Sequence, residues 1–187
     1  MKVSAYLFLA VFLSALAVTL LLTPLVGRLA ARCGAIDLPD ARKVHDKPIP
    51  RWGGIAIYAG FFLPVLLFLG WGGKGVPALV LGGTVILLVG IIDDVVDLPP
   101  WLKLLGQIAA AVALILSGIR IQFLTRPGGG MLYLGLWGIP LTLFWVVGLT
   151  NMLNLIDGLD GLAAGVSSIA ATALFFVALQ KGQTIVA

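Results

Sequence analysis

The sequence predicts an all-α polytopic membrane protein: one bundle of about six transmembrane helices, with a short extracytoplasmic β-hairpin near residues 120–134. Three observations carry this expectation. The chain is 60% hydrophobic and only 11% charged, with a mean hydropathy of +1.13, whereas soluble domains carry about 25% charged residues. Its apolar residues gather into six runs that reach or approach membrane-crossing length. Its 8 acidic residues are all aspartates, confined to the ends of two such runs and one basic loop.

The first run, residues 5–26, is longer than a signal-peptide core, and Arg28 and Arg32 follow it at once, so it reads as a retained anchor. The second spans 54–69, with a kink expected at Pro64 that neighbouring helices can satisfy. The third, 77–92, would rise only about 24 Å, short of a hydrocarbon core of about 30 Å. That shortness would hold Asp93 and Asp94 at the interface. The fourth, fifth and sixth runs are 102–119, 136–153 and 159–179. Between the fourth and fifth, Pro127-Gly128-Gly129-Gly130 is flanked by Ile-Gln-Phe-Leu and Met-Leu-Tyr-Leu, a hairpin pattern. The loops are short and no repeat interrupts them, so residues 1–187 form a single transmembrane domain in a compact bundle.

Charge sets the expected orientation. Arg28, Arg32, Arg42, Lys43, Lys47 and Arg51 crowd the segment between the first two runs, which marks it as cytoplasmic. Alternating the spans brings the Asp93 and Asp157 segments to the same face of the plasma membrane. The net charge of +4 suits anionic head groups or phosphates as partners. No basic stripe interleaved with aromatics appears, so no nucleic acid is expected. Cys33 is the only cysteine and His45 the only histidine, which excludes an internal disulfide and a histidine-rich metal site within these residues.

Three segments carry chemistry. In the first, Asp93 and Asp97 are four apart and Asp94 and Asp97 three apart, so on a helix their carboxylates can converge on one hard cation. Adjacent carboxylates repel, and a divalent ion relieves that repulsion. A pair that merely ended a helix in water would oppose the macrodipole. In the second, Asn151, Asn154 and Asp157 recur every third residue within a sector of about 120°, and Asp160 drifts to the opposite side. Gly158 and Gly161 break the helix there and let backbone approach a ligand. Asparagine and aspartate also serve as ordinary caps, the plainer reading of this run. In the third, Arg42, Lys43, His45, Lys47 and Arg51 stand beside Pro48 and Pro50 and can meet phosphate oxygens, although positive-inside loops share this composition.

Together these segments resemble the polyprenyl-phosphate N-acetylhexosamine-1-phosphate transferase family (glycosyltransferase family 4). The resemblance rests on D-x-P-x-x-R-K-x-H at 37–45, D-D-x-x-D-L-x-P-x-x-K-L at 93–104 and N-x-x-N-x-x-D-G-x-D-G-L at 151–162, in that order. The R-K-x-H and P-x-P-R-x-G-G form of the first loop looks more like the UDP-N-acetylglucosamine branch than the phospho-N-acetylmuramoyl-pentapeptide translocase branch. The resemblance implies attack by polyprenyl phosphate on the β-phosphorus of a UDP-N-acetylhexosamine, with UMP released and Mg²⁺ (or Mn²⁺) assisting. It implies Asp93 and Asp94 as catalytic, and Asp93, Asp94 and Asp157 as metal ligands. It further implies substrate contacts from Arg42, Lys43, His45, Lys47, Arg51, Lys103, Asn151, Asn154 and Asp160. The bilayer is a partner, and a homodimer is compatible with this reading.

Members of that family have about ten or eleven spans, a later G-D-x-G-S aspartate and an H-x-H-H loop. No acidic residue or histidine follows Asp160 here. The resemblance therefore implies the N-terminal part of such a transferase, and residues 1–187 alone are expected to be inactive. Three further classes use similar residues, among them a membrane prenyltransferase with an aspartate-rich motif and a cation transporter with the aspartates lining its pathway. The second prenyltransferase motif differs in spacing and lacks the N-x-x-N prefix. Transporters more often place carboxylates mid-span than all at one face. A CDP-alcohol phosphotransferase is also suggested by Asp160-Gly-Leu-Ala-Ala, but the arginine and further aspartates it needs are missing from these residues.

Overall fold

The computed structural model describes residues 5–39, 47–73, 75–159 and 161–182. Six helices dominate it, and two small antiparallel ladders cap opposite ends. Helix α1 (Ala5–Cys33) runs beyond the apolar stretch and carries Arg28 and Arg32 in its final turns. Hydroxyls along it turn back onto carbonyls, as Thr19 Oγ1 does to Ala15 O at 2.8 Å and Thr23 Oγ1 to Thr19 O at 2.7 Å. Such bonds let polar side chains lie in an apolar span.

After α1, strand β1 (Ile36–Asp37) pairs with β2 (Ile49–Pro50), placing Ile36 opposite Pro50 and Asp37 opposite Ile49. The Arg51 N–H donates to Ala35 O at 3.0 Å and extends the ladder. The sequence showed only a basic loop here, because strands this short leave no alternating pattern to read. Helix α2 (Gly53–Leu69) follows, with Pro64 buried inside it.

Helix α3 (Val76–Val96) departs from expectation. The predicted run stopped at residue 92, yet the helix continues one turn through Asp93 and Asp94. Its 21 residues rise about 32 Å, enough for a hydrocarbon core. Hydropathy ends at the first carboxylate, whereas the helix ends where the backbone changes hand. Asp97 adopts φ 47°, the only non-glycine residue at positive φ among the described residues. Aspartate tolerates that region better than most residues. The Asp97 N–H reaches Asp93 O at 2.9 Å, and the Asp93 carboxylate accepts the Leu98 N–H at 2.9 Å. Helix α4 (Pro100–Leu116) then begins on a proline, whose fixed φ suits a first turn.

The predicted hairpin is present as β3 (Phe123–Thr125) and β4 (Met131–Tyr133), with Leu124 opposite Leu132. A single 3₁₀ turn (Gly135–Trp137) leads into α5 (Gly138–Ile156). Buried Thr142 ties α5 to the chain just before β3: its Oγ1 accepts the Ile121 N–H at 2.8 Å and donates to Gly138 O at 2.6 Å. Helix α6 (Leu162–Gln180) starts after Gly161, which sits at φ 77°.

Small residues make the helix contacts. A Cβ at Gly60 of α2 would strike Thr19 Oγ1 of α1, and one at Gly106 of α4 would lie 2.5 Å from Val89 Cγ2 of α3. Close backbone approach through glycine and alanine is how helices associate in lipid, where large apolar side chains gain nothing by leaving the hydrocarbon. Accordingly Ala30, Ala56, Ala78, Ala110 and Ala111 are buried, while most leucines, such as Leu21 and Leu67, face outward. Phe8 of α1 meets Phe175 of α6 edge-on, ring centroids 5.5 Å apart. Helices α1 and α2 pack closely, as do α3 and α4, but α2 and α3 meet more sparingly. A groove lies between these two pairs.

Candidate active site

Asp37 and Arg51 of the first loop meet the charged residues of the second motif at one end of the bundle. Arg51 stands between β2 and α2. Its Nε donates to Asp37 Oδ1 at 3.1 Å, and Nη2 donates to the same oxygen. The hydrogen bond that Arg51 donates to Asp37 raises the Arg51 pKa above its ordinary value; the charges of Asp37, Asp94 and Asp97 act in the same direction. On its other side, Arg51 Nη1 lies 3.9 Å from Asp97 Oδ1. One guanidinium thus joins the loop motif to the aspartate motif, across 46 positions of sequence from Arg51 to Asp97.

Lys103, in the first turns of α4, pairs with Asp93 Oδ1 at 2.7 Å. The reversal at Asp97-Leu98-Pro99 makes that pairing possible, by folding the start of α4 back against the end of α3. Asp93 is partly shielded at 26% side-chain exposure, whereas Asp97 is open at 96%. Asp94 faces the charges of Arg51, Asp93, Lys103 and Asp37 together. It also lines the groove between α2 and α3, as Arg51 does.

The third motif reaches the same end by a different contact. Asn151 Nδ2 donates to Gln107 Oε1 at 2.6 Å, and Gln107 Nε2 donates back to Asn151 Oδ1 at 3.3 Å. This reciprocal amide pair fixes α5 against α4. From it, α5 runs about 9 Å to Asp157 and α4 about 10 Å to Pro100, and both lead to the charged end. Asn154 is exposed on α5, and Asp157 follows its last turn as the cap residue. Lys47 stands just before β2, exposed at this end. Arg42, Lys43, His45 and Asp160 lie outside the described residues, so their positions are not part of this site's geometry.

Among the described residues, no three acidic, histidine or cysteine side chains converge closely enough to hold a metal by themselves. Asp157 therefore does not form a ready-made triad with Asp93 and Asp94. The adjacent pair still suits Mg²⁺, which commonly takes one or two carboxylates and completes its shell with substrate phosphates and water. Two participants escaped the sequence reading. Asp37 was noted only as part of a motif, and its partnership with Arg51 spans a loop no spacing rule covers. Gln107 carried no signal except a polar residue within an apolar run, which in a membrane span is itself a pointer.

Comparison with known proteins agrees with this arrangement. The pattern of Glycosyl transferase family 4 matches residues 76–187. The chain is 39% identical to the "Probable undecaprenyl-phosphate N-acetylglucosaminyl 1-phosphate transferase" of Bacillus subtilis (strain 168), over 94% of this chain and 49% of that protein. It is 41% identical to the "Decaprenyl-phosphate N-acetylglucosaminephosphotransferase" of Mycobacterium leprae (strain TN), over 87% of this chain and 44% of that one. It is 30% identical to the "Undecaprenyl-phosphate alpha-N-acetylglucosaminyl 1-phosphate transferase" of Escherichia coli (strain K12), over 84% of this chain and 43% of that one. The chain thus spans about half the length of the curated relatives it matches. No solved structure matches it. With more than half of its residues fitting the family pattern, and the aspartate end of α3 lying inside the matched region, the chain belongs to Glycosyl transferase family 4.

Proposed function

We propose that the protein takes part in moving N-acetylglucosamine-1-phosphate from UDP-N-acetylglucosamine to a polyprenyl phosphate at the cytoplasmic face of the plasma membrane. The observation that carries this reading is Arg51, held between Asp37 and Asp97 at the end of α3 where Asp93 and Asp94 stand. Cations and carboxylates gathered at the end of apolar helices suit a reaction between a lipid-borne phosphate and a soluble nucleotide diphosphate. The names of the relatives support the same acceptor class and the same transferred group.

In this reaction an oxygen of polyprenyl phosphate attacks the β-phosphorus of the UDP-sugar. The bond from that phosphorus to the bridging oxygen breaks, UMP leaves, and the sugar's anomeric C–O bond stays intact. Arg51 and Lys103 offset charge on the phosphates; Lys103 does so while holding Asp93 in place. Asp94, which lines the groove, takes the proton when the acceptor arrives as the monoanion. Asn151, Asn154 and Asp157 orient the diphosphate from α5, with Gln107 keeping Asn151 in register. A divalent cation bound by Asp93 or Asp94 and the diphosphate would supply further charge neutralisation.

The test follows the phosphorus. With membranes expressing the protein from its own reading frame, UDP-N-acetylglucosamine labelled at the β-phosphorus should yield a labelled lipid, dependent on polyprenyl phosphate and abolished by a chelator. Label retained in UDP while sugar enters lipid would mean hexosyl transfer and overturn the reading. Movement of cations with no lipid product would favour a transporter.

A further inference from the structure

We propose that the β3–β4 hairpin is immersed in the lipid head groups at the end of the bundle away from the aspartates, and that Arg120 and Arg126 select anionic lipids there. Every residue of the two strands is exposed. Alternation puts Phe123, Met131 and Tyr133 on one face and Leu124 and Leu132 on the other. Phe123 and Tyr133 stand opposite each other, with ring centroids 6.2 Å apart. Both faces thus carry apolar side chains, and the described residues cover neither. A two-stranded hairpin with no covered face is marginal at best in water. Its cover must come from its surroundings.

Position and charge identify that cover. Helix α4 ends at Leu116 and α5 begins at Gly138, so the hairpin is tied to an apolar helix on each side. The Thr142 hydroxyl, accepting the Ile121 N–H at 2.8 Å, holds its base to the first turns of α5. The hairpin therefore stays at the level where the spans end. Exposed aromatics mark the same level. Trp137 is 78% and Tyr133 75% exposed, and Tyr6 at the start of α1 and Trp71 just after α2 stand exposed at this end too. Tryptophan and tyrosine gather at membrane–water interfaces, their rings among the head groups. Arg120 and Arg126 are exposed, and Arg126 opens the turn with its N–H on Gly130 O at 3.1 Å. No acidic residue occurs between Asp97 and Asp157 to offset them. Anionic head groups supply that charge. A protein partner fits less well, because a standard interface takes roughly 20–30 residues a side and each strand here has 3.

The experiment places the whole protein in lipid nanodiscs, in a Cys33→Ser background, with a fluorophore on the cysteine of Met131→Cys or Leu132→Cys, one on each face. Phosphatidylglycerol and phosphatidylcholine carrying the same nitroxide at the head-group end of one chain serve as quenchers. Both positions should be quenched by nitroxide lipid and little by iodide in the water. At equal mole fraction phosphatidylglycerol should quench roughly fivefold more effectively, the worth of about one arginine at a charged surface. That preference should vanish in Arg120→Gln/Arg126→Gln and survive in Arg120→Lys/Arg126→Lys, since a lipid surface responds to charge. Strong iodide quenching at both positions, lipid quenching on one face only, or equal quenching by the two lipids would overturn the inference. A preference that persisted in the glutamine variant would do so too. A fluorophore shielded from lipid and iodide alike would also overturn it, showing that a protein partner or a second copy covers the hairpin.

Discussion

The Arg51 guanidinium donates from two nitrogens to one oxygen of Asp37 and faces Asp97 with a third. Lysine cannot reproduce that fork, since its ammonium is a point charge on a flexible stem. Arg51→Lys is therefore expected to lower transfer by at least tenfold, roughly the loss of one charge-assisted hydrogen bond. Arg51→Ala should lower it further, each measured as initial rate per amount of inserted protein. If Arg51→Lys were as active as the parent, the contact with Asp37 would be no more than a surface ion pair, whose usual worth is small. Asp157→Asn, at the end of α5, should likewise reduce turnover by orders of magnitude while leaving insertion unchanged. Full activity in that variant would leave Asp157 as a cap residue.

At the scale of elements, glycine and threonine decide how the helices fit. Gly60→Val would push a branched side chain into Thr19 and toward Ala15 O, which lies 3.2 Å from a Cβ built there. It should destabilise the α1–α2 pair by about 1–3 kcal/mol, read as a lower melting temperature in detergent. Gly165→Val on α6, where a Cβ meets nothing, is the matched control. Thr142→Val removes the acceptor of the Ile121 N–H and should cost about 1–3 kcal/mol as well. Equal melting of the Gly60 and Gly165 variants would mean that α1 and α2 do not pack as described. The six helices and the β3–β4 hairpin were legible in the sequence because apolar runs and a Pro-Gly-Gly-Gly turn are local signals. The end of α3 was not. Hydropathy falls at Asp93, but the chain leaves the helix only at Asp97, through a backbone conformation that composition does not report.

For the molecule as a whole, the separation of charge along the bundle is the organising feature. Asp37, Arg51, Asp93, Asp94, Asp97 and Lys103 occupy one end, and the β3–β4 hairpin occupies the other. The three motifs were readable as motifs, yet their meeting depends on contacts between distant residues. Arg51 with Asp37 and Gln107 with Asn151 are pairings that no spacing rule contains. Cys33 ends α1 near the charged end and is exposed, so it reports which side of the membrane that end faces. An impermeant maleimide should fail to label it in intact cells and succeed after lysis, as expected if the basic segment is cytoplasmic. Ready labelling of intact cells would put the charged end on the side away from cytoplasmic UDP-sugars.

If phosphorus changes hands at the end of α3, UMP release from UDP-N-acetylglucosamine will report it, measured with and without polyprenyl phosphate in membranes carrying either the parent protein or Asp94→Asn. Release should require the lipid and match the lipid-linked product mole for mole. In Asp94→Asn it should fall by at least about a hundredfold, the usual scale for losing a general base or a metal-binding carboxylate, with the variant inserted at parental levels. Near-parental UMP release from Asp94→Asn would contradict it.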